Sequence, residues 1–140
     1  IDMTDVYQGQ LAKAHRGAAF FPSGQIVIQD EIAVGDTREP TTVRWAMVTD
    51  AEINIKSDKK AVLEKQGKQM TFELLGSDDA EIAIYSAEPR AEFDAPNPGM
   101  KIIGFEVKLN ASQQKTLMVQ MTPGQGTNSF YEPRPLSTWP

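Results

Sequence analysis

Cysteine is absent from this chain of 140 residues, and histidine occurs once, as His15. Without cysteine, disulfide bonds and thiolate metal sites are excluded. A single histidine also excludes a metal site built from several imidazoles within the chain. His15 stands in the middle of a predicted strand, on the face opposite Ala14 and Arg16, so we expect a structural or solvent-facing role for it.

Long apolar runs and an excess of positive charge are missing too. No stretch approaches the roughly 18 consecutive apolar residues that a membrane-spanning helix requires. Nineteen Asp and Glu residues oppose fourteen Lys and Arg residues, which gives a formal net charge of -5. Because an acidic surface repels polyanions, we expect neither nucleic acid nor an anionic membrane as a partner.

What the sequence does contain is a series of short segments rich in β-branched and aromatic residues, separated by turn residues about every 8 to 12 positions. No segment shows an apolar stripe of helical period over more than one or two turns. This pattern predicts an all-β fold, a two-layer antiparallel β-sandwich of about nine strands with minimal helix, with a barrel as the alternative. The predicted strands span residues 11–21, 26–34, 41–49, 52–56, 61–64, 70–75, 81–87, 100–109 and 115–122.

The turns between these segments suggest a single domain covering residues 1–140. Pro22–Gln25 is typical of a hairpin turn, and residues 110–113 are predicted to join the last two strands as a second hairpin. Proline and glycine predict a loop over residues 88–99 and an irregular tail over residues 123–140. The chain starts at Ile1 without an initiator methionine or a signal peptide, so we expect it to be a fragment of a larger protein.

Alternation within the strands predicts which side chains face the core. Val43, Trp45 and Met47 lie on one face of their strand, and we expect that face to be buried. In residues 26–34 the apolar face points inward, with Asp30 as the exception. Phe20 and Phe21 are adjacent and point to opposite faces, so one of them is predicted to be exposed or at an interface.

Neither a metal site nor a cofactor site is predicted. None of the acidic groups has the spacing of a calcium loop, and we expect solvated turns, with a weak calcium site as the alternative. The acidic groups are Asp30 with Glu31, Asp50 with Glu52, and Asp78 and Asp79 with Glu81. Three aromatic residues outside the predicted core, Tyr85, Tyr131 and Trp139, are candidates for stacking on sugar rings.

Several short motifs resemble the C-terminal β-domain of heparinase II/III-like polysaccharide lyases. That domain opens with an Asp-hydrophobic-Thr-x-x-Tyr motif, continues to an Arg-Gly pair, and has a strand that reads Gln-Asp-Glu. A strand with a Trp-x-hydrophobic-His-Thr pattern follows, and here Val48 takes the place of the histidine. The matching residues are Asp2, Met3, Thr4, Asp5 and Tyr7, Arg16 and Gly17, Gln29–Glu31, 43–49 and, in the last strand, 117–123.

The resemblance implies a parent enzyme that cleaves acidic, uronate-containing polysaccharides such as glycosaminoglycans by β-elimination, in the bacterial periplasm or outside the cell. In such enzymes the catalytic tyrosine and histidine belong largely to an N-terminal helical toroid and an upstream β-region. No catalytic residue is therefore assigned to this chain, and we expect it to support the catalytic part without cleaving substrate. The upstream catalytic domains would be its partners, and acidic polysaccharide a further candidate.

Two alternatives stay open at the level of sequence. One is an autonomous carbohydrate-binding β-sandwich module, and the other is a complete small lyase or hydrolase on a β-scaffold. For the preferred interpretation, the basic residues expected at a domain interface or facing substrate are Lys13, His15, Arg16 and Arg44. The alternative to that interface is ordinary protein surface.

Overall fold

The computed structural model describes residues 1–36, 39–89, 91, 93–124 and 130–140, and in these ranges nine strands form two antiparallel sheets. The predicted all-β sandwich is therefore confirmed. The helical elements in this part of the chain are two 3₁₀ turns, Thr4–Tyr7 and Leu136–Thr138. The strands are β1 (Lys13–Phe20), β2 (Ile26–Ala33), β3 (Thr41–Thr49), β4 (Glu52–Ser57), β5 (Lys60–Lys65), β6 (Lys68–Leu75), β7 (Ala83–Ser86), β8 (Lys101–Leu109) and β9 (Gln114–Pro123).

The two sheets are unequal in size. The large sheet has six strands in the order β1-β2-β9-β6-β5-β4, and the small sheet has three in the order β3-β8-β7. The hairpin at Pro22–Gln25 is confirmed, with Gly24 at a φ of +83° and its amide bonded to the carbonyl of Phe21. Strands β4, β5 and β6 form a meander, each pairing with the next.

The core lies between the sheets, where alternation predicted it. Trp45 is buried, and Val43 and Met47 on the same face of β3 pack against the core. Two phenylalanines, Phe72 of β6 and Phe105 of β8, are fully buried beside Trp45. Two strands of the small sheet and one strand of the large sheet thus meet at one aromatic cluster.

The predicted hairpin between the last two strands is wrong. Strand β8 pairs with β3 and β7, whereas β9 pairs with β2 and β6 in the other sheet. Residues 110–113 carry the chain across the roughly 10 Å between stacked sheets. There the amide of Ser112 donates to the carbonyl of Gly35, and Gln113 accepts from the amide of Val34, so the crossing is held against the end of β2.

The structure describes the predicted loop over residues 88–99 and the predicted tail over residues 123–140 only in part. No strand occurs among the described residues of 88–99, as predicted, although Arg90 and Glu92 lie outside the described part. Positions 125–129 of the predicted irregular tail also lie outside it. The remainder, residues 130–140, is called the C-terminal segment below. Within the described residues, no helix is long and apolar enough to cross a membrane.

Gly104 sits at the centre of the small sheet, between Ala46 of β3 and Ala83 of β7. A Cβ atom at this position would collide with the carbonyl oxygen of Trp45. We expect Gly104→Ala to lower the free energy of unfolding by about 1–3 kcal/mol, since backbone must move to admit the methyl group. Urea unfolding measures the loss.

Gly35 provides the control for this substitution. A Cβ atom there would lie 3.9 Å from the Cβ of Ala12, an ordinary contact. Gly35→Ala should therefore leave the unfolding midpoint nearly unchanged or raise it slightly. Equal effects of the two alanine substitutions would contradict the steric argument.

Candidate functional site

The most concentrated polar feature between the sheets is an ion pair between Arg16 and Asp30. Arg16 lies on the inner face of β1 and bonds both carboxylate oxygens of Asp30 on β2, at 2.6 and 2.7 Å. The two residues are direct partners in the β1–β2 register. Asp30 is only 4% exposed, so the guanidinium is what makes an inward carboxylate tolerable. Its hydrogen bond to Asp30 raises the pKa of Arg16 further.

A cleft of about 240 Å³ opens beside this pair, at the end of the sandwich where β3 begins. The Arg16 guanidinium lies 5.8 Å from the centre of the Trp45 ring, within the range of a cation–π contact. Tyr7, from the first 3₁₀ turn, borders the same cleft. The cleft is lined by both apolar and polar side chains, among them the neutralised Arg16–Asp30 pair.

Lys13 and His15 lie on the other face of β1, away from the cleft. Lys13 forms an ion pair of 2.6 Å with Glu31, and His15 Nε2 lies 3.4 Å from a carboxylate oxygen of Asp2. The pKa of Asp2 is lowered, chiefly by its hydrogen bonds with Thr4 and to a smaller extent by His15. His15 thus lies on the face of β1 opposite Ala14 and Arg16, as alternation predicted, and its side chain is 39% exposed.

Arg44 occupies a third location, the outer face of the small sheet. Its guanidinium donates two bonds to one oxygen of Glu106, its partner residue on β8. It also lies 4.1 Å from the centre of the Tyr85 ring. Burial and the neighbouring Glu106 raise the pKa of Tyr85, against the opposing influence of Arg44.

The four predicted basic residues therefore do not form one common surface, although Arg16 and Arg44 both line the cleft beside Trp45. Each is paired with a carboxylate, and they point in three directions: into the sandwich, out from the large sheet, and out from the small sheet. A role for any one of them at an interface between domains remains a prediction. The fold does not place all four residues on a single basic face.

The C-terminal segment covers part of the outer face of the large sheet, over β1, β2 and β9. Gln29 donates to the carbonyl of Arg134 at 2.7 Å, and Glu31 accepts from the amide of Leu136 at 2.6 Å. On the adjacent strand, Gln120 accepts from the amide of Tyr131 at 2.9 Å. Three strand side chains thus satisfy backbone groups of a segment that has no sheet partner of its own.

Gly17 is a point where this segment approaches the sheet closely. A Cβ atom there would lie 2.5 Å from Leu136 Cδ2 and 2.9 Å from Trp139 Cζ3. Both side chains therefore rest directly on the backbone of β1. The C-terminal segment is part of the packed structure, which the proline and glycine content of residues 123–140 did not predict.

The three candidate sugar-stacking residues are divided between the two sheets. Tyr131 and Trp139 contact each other edge to face with ring centres 5.8 Å apart, and Phe21 lies 5.9 Å from Tyr131. Tyr85 lies on the outer face of the small sheet beside Arg44. Phe20 is 75% exposed, so one member of the phenylalanine pair is exposed, as predicted.

Sequence reasoning did not identify the residues that hold the C-terminal segment, Gly17, Gln29, Glu31 and Gln120. One signal was available, because Ile26, Val27 and Ile28 follow one another in β2. A strand that is apolar on both faces is typical of a sheet covered on both sides. Val27, on the outer face, is fully buried.

Glu31 makes the attachment of the C-terminal segment dependent on pH. Its bond with Lys13, and secondly the amide of Leu136, lower the pKa of this carboxylate. A carboxyl group with a depressed pKa in the folded state contributes stability above its unfolded pKa, and the contribution is lost as pH falls through the folded pKa. We expect the segment to loosen as Glu31 protonates in acid, seen as movement of the assigned Trp139 indole signal in NMR spectra.

Glu31→Gln is the control, since glutamine can still accept from Leu136 but does not titrate. In this variant the acid-dependent movement of the Trp139 signal should disappear. The Trp45 signal, in the core, serves as the internal reference in both proteins. Identical titration of the Trp139 signal in wild type and variant would show that another group controls the segment.

No cluster of three or more His, Cys, Asp or Glu side chains suited to a metal ion occurs among the described residues. The sequence matches no protein-family model, and no curated protein is significantly similar to it. The resemblance to heparinase II/III-like lyases therefore depends on the motif residues alone.

Proposed function

We propose that this chain is a non-catalytic β-sandwich domain that supports the catalytic part of a heparinase II/III-like polysaccharide lyase. The motif residues behind this proposal fall in β1, β2, β3 and β9 and in the segment before β1. Under the proposal the parent is a bacterial protein of the periplasm or exterior that acts on uronate-containing polysaccharide, and this domain's partners are the catalytic domains upstream.

One observation carries the proposal: the motif residues make contacts that hold the domain together. Arg16 and Asp30 join β1 to β2 between the sheets, and Gly17 admits the C-terminal segment. Gln29 and Glu31 bond that segment's backbone. A motif whose members connect strands and anchor the terminus fits a supporting domain, in which the residues are needed for architecture.

The placement of the proton-transfer candidates also supports a non-catalytic role. β-Elimination requires a base positioned within hydrogen-bonding reach of the proton α to the uronate carboxyl. His15 lies on the outer face of β1 paired with Asp2, whereas Tyr7 borders the cleft on the inner side. The two side chains do not converge on one groove.

The test is to incubate the purified chain with uronate-containing polysaccharides and follow the absorbance of unsaturated uronate. We expect no product from the chain alone. With the upstream coding sequence restored, we expect cleavage, and deletion of residues 1–140 should then lower the thermal midpoint of the longer protein. Product formation by the isolated chain would overturn the proposal.

The alternative is an autonomous carbohydrate-binding module, and one observation favours it. Tyr85 and Arg44 stack on the outer face of the small sheet, which is a surface that an acidic sugar could use. Affinity electrophoresis in gels containing uronate polysaccharide tests this directly. Retardation that is lost in Tyr85→Ala but kept in Trp139→Ala would establish the module and displace the supporting role.

A further inference from the structure

The two sheets separate at the end of the sandwich where β3 ends, and a groove of about 610 Å³ lies between them. This volume falls within the roughly 300–1,000 Å³ typical of small-molecule sites. The large sheet contributes the ends of β2, β5, β6 and β9 to its wall, and β3 closes the opposite side. The groove is separate from the Arg16 cleft, which opens where β3 begins.

The wall of the groove is apolar and adaptable. Met47, Met70 and Met121 all line it, which is half of the six methionines in the chain. Ile26 is the direct strand partner of Met121, and Leu63 is the partner of Met70, so the apolar side chains form a continuous surface. Unbranched thioether side chains adjust to irregular apolar ligands.

Two lysines stand at the mouth of the groove, on either side of the β5–β6 turn. Lys65 forms an ion pair with Asp50 at 2.7 Å. Within the part of the chain that the structure describes, Lys68 forms no ion pair. The Lys68 ammonium, which has no paired carboxylate among the described residues, is therefore a local positive feature beside an apolar groove in a chain of formal net charge -5. The charge that complements it is negative.

We propose that this groove binds a free fatty acid, with the aliphatic chain between the sheets and the carboxylate at Lys68. The aliphatic chain of the ligand would cover the apolar wall of the groove. Removal of this apolar surface from water is the dominant favourable contribution to binding. Lys68 orients the ligand by pairing with its single charged end. The proposed ligand site is independent of the supporting role in a lyase.

Dodecanoate, below the concentration at which it aggregates, is the probe, and the chain is labelled with ¹³C at the methionine methyl groups. We expect saturable shifts of the Met47, Met70 and Met121 signals with one ligand per chain. Met118 provides an internal control, because it lies on β9 but on the outer face, under the C-terminal segment. Met3, at the Arg16 cleft, is a second control.

Charge reversal tests the role of the lysine. Lys68→Glu should weaken dodecanoate binding about tenfold, since an attraction is replaced by a repulsion. Lys108→Glu, on an exposed site of β8 away from the groove, changes the net charge equally and should leave the affinity unchanged. Dodecanol, which lacks the charge, should bind more weakly to the wild-type chain and equally to both variants.

Met70→Trp fills the groove from within and should abolish the shifts at Met47 and Met121. Thermal unfolding shows whether the Met70→Trp variant is folded. If it is unfolded, the comparison of Lys68→Glu with Lys108→Glu still tests the proposal, because both of these substitutions are at exposed positions. Shifts at Met118 or Met3 as large as those in the groove would overturn the proposal. So would equal affinities of the two glutamate variants, or binding to anionic vesicles without any binding of monomeric dodecanoate.

Discussion

Arg16→Leu will lower the free energy of unfolding by about 3–5 kcal/mol, because the substitution leaves the carboxylate of Asp30 buried without its partner. Asp30 is 4% exposed, and both of its oxygens accept bonds from Arg16. Removing one member of such a pair costs more than the pair contributes, since the remaining charge keeps its desolvation penalty. Urea unfolding followed by circular dichroism gives the value.

Two controls distinguish burial from charge pairing in general. Arg44→Leu breaks the pair with Glu106, whose members are 37% and 41% exposed, and should cost only about 0–1 kcal/mol. The double variant Arg16→Leu/Asp30→Leu should recover much of the stability lost by Arg16→Leu alone, because no buried charge remains. A loss for Arg16→Leu no larger than that for Arg44→Leu would refute the argument.

Trp45→Ala should cost about 3–5 kcal/mol, the range for removing a large aromatic side chain from a core. Its ring is stacked on Phe105 within the small sheet, with centres 5.8 Å apart and planes 4° apart. It also lies 5.6 Å from Phe72 of the large sheet. The substitution therefore opens a cavity at the contact between the two layers, and the denaturation midpoint should fall accordingly.

Trp139→Ala is the matched control for this substitution. Trp139 is half-buried on the outer face of the large sheet, so its loss loosens the C-terminal segment without opening the space between the sheets. We expect a clearly smaller destabilisation than for Trp45→Ala. Trp45→Phe should fall between wild type and Trp45→Ala. Equal losses at the two tryptophans would show that the inter-sheet cluster is not the main source of stability.

The strands were predictable because strand formation depends on residues that are close together in the sequence. Short segments rich in β-branched and aromatic residues between turn residues identified all nine, and alternation within the strands placed Trp45 in the core and Asp30 on an inward face. Turn residues set the boundaries, as at Pro22–Gln25. Each of these inferences uses information from a few neighbouring residues.

Pairing between strands was harder to predict, because it depends on residues far apart in the chain. The connection at 110–113 has the length of a hairpin loop, yet it carries the chain from one sheet to the other. The 6+3 division of strands follows from which faces pack together, and periodicity does not encode that choice. The same limit explains why β8 and β9 were wrongly paired.

For the candidate site, the residue types were informative and their arrangement was not. Arg16 was identified as important, but its partnership with Asp30 requires the β1–β2 register. Lys13 and His15 were grouped with Arg16 because all three are basic, although adjacent strand positions face opposite sides. The apolar groove beside Lys68 is formed by the ends of five strands, and no local sequence pattern predicts it.

The position of β9 has a consequence for how the polypeptide is made. This last strand lies inside the large sheet, hydrogen-bonded to β2 on one side and β6 on the other. A nascent chain leaving the ribosome therefore holds the β1–β2 hairpin and the β4–β6 meander as two pieces with open edges until residue 123 has emerged. Open edges of this kind invite pairing with other chains. Stalled or truncated synthesis short of β9 should thus yield aggregating products instead of a smaller soluble domain.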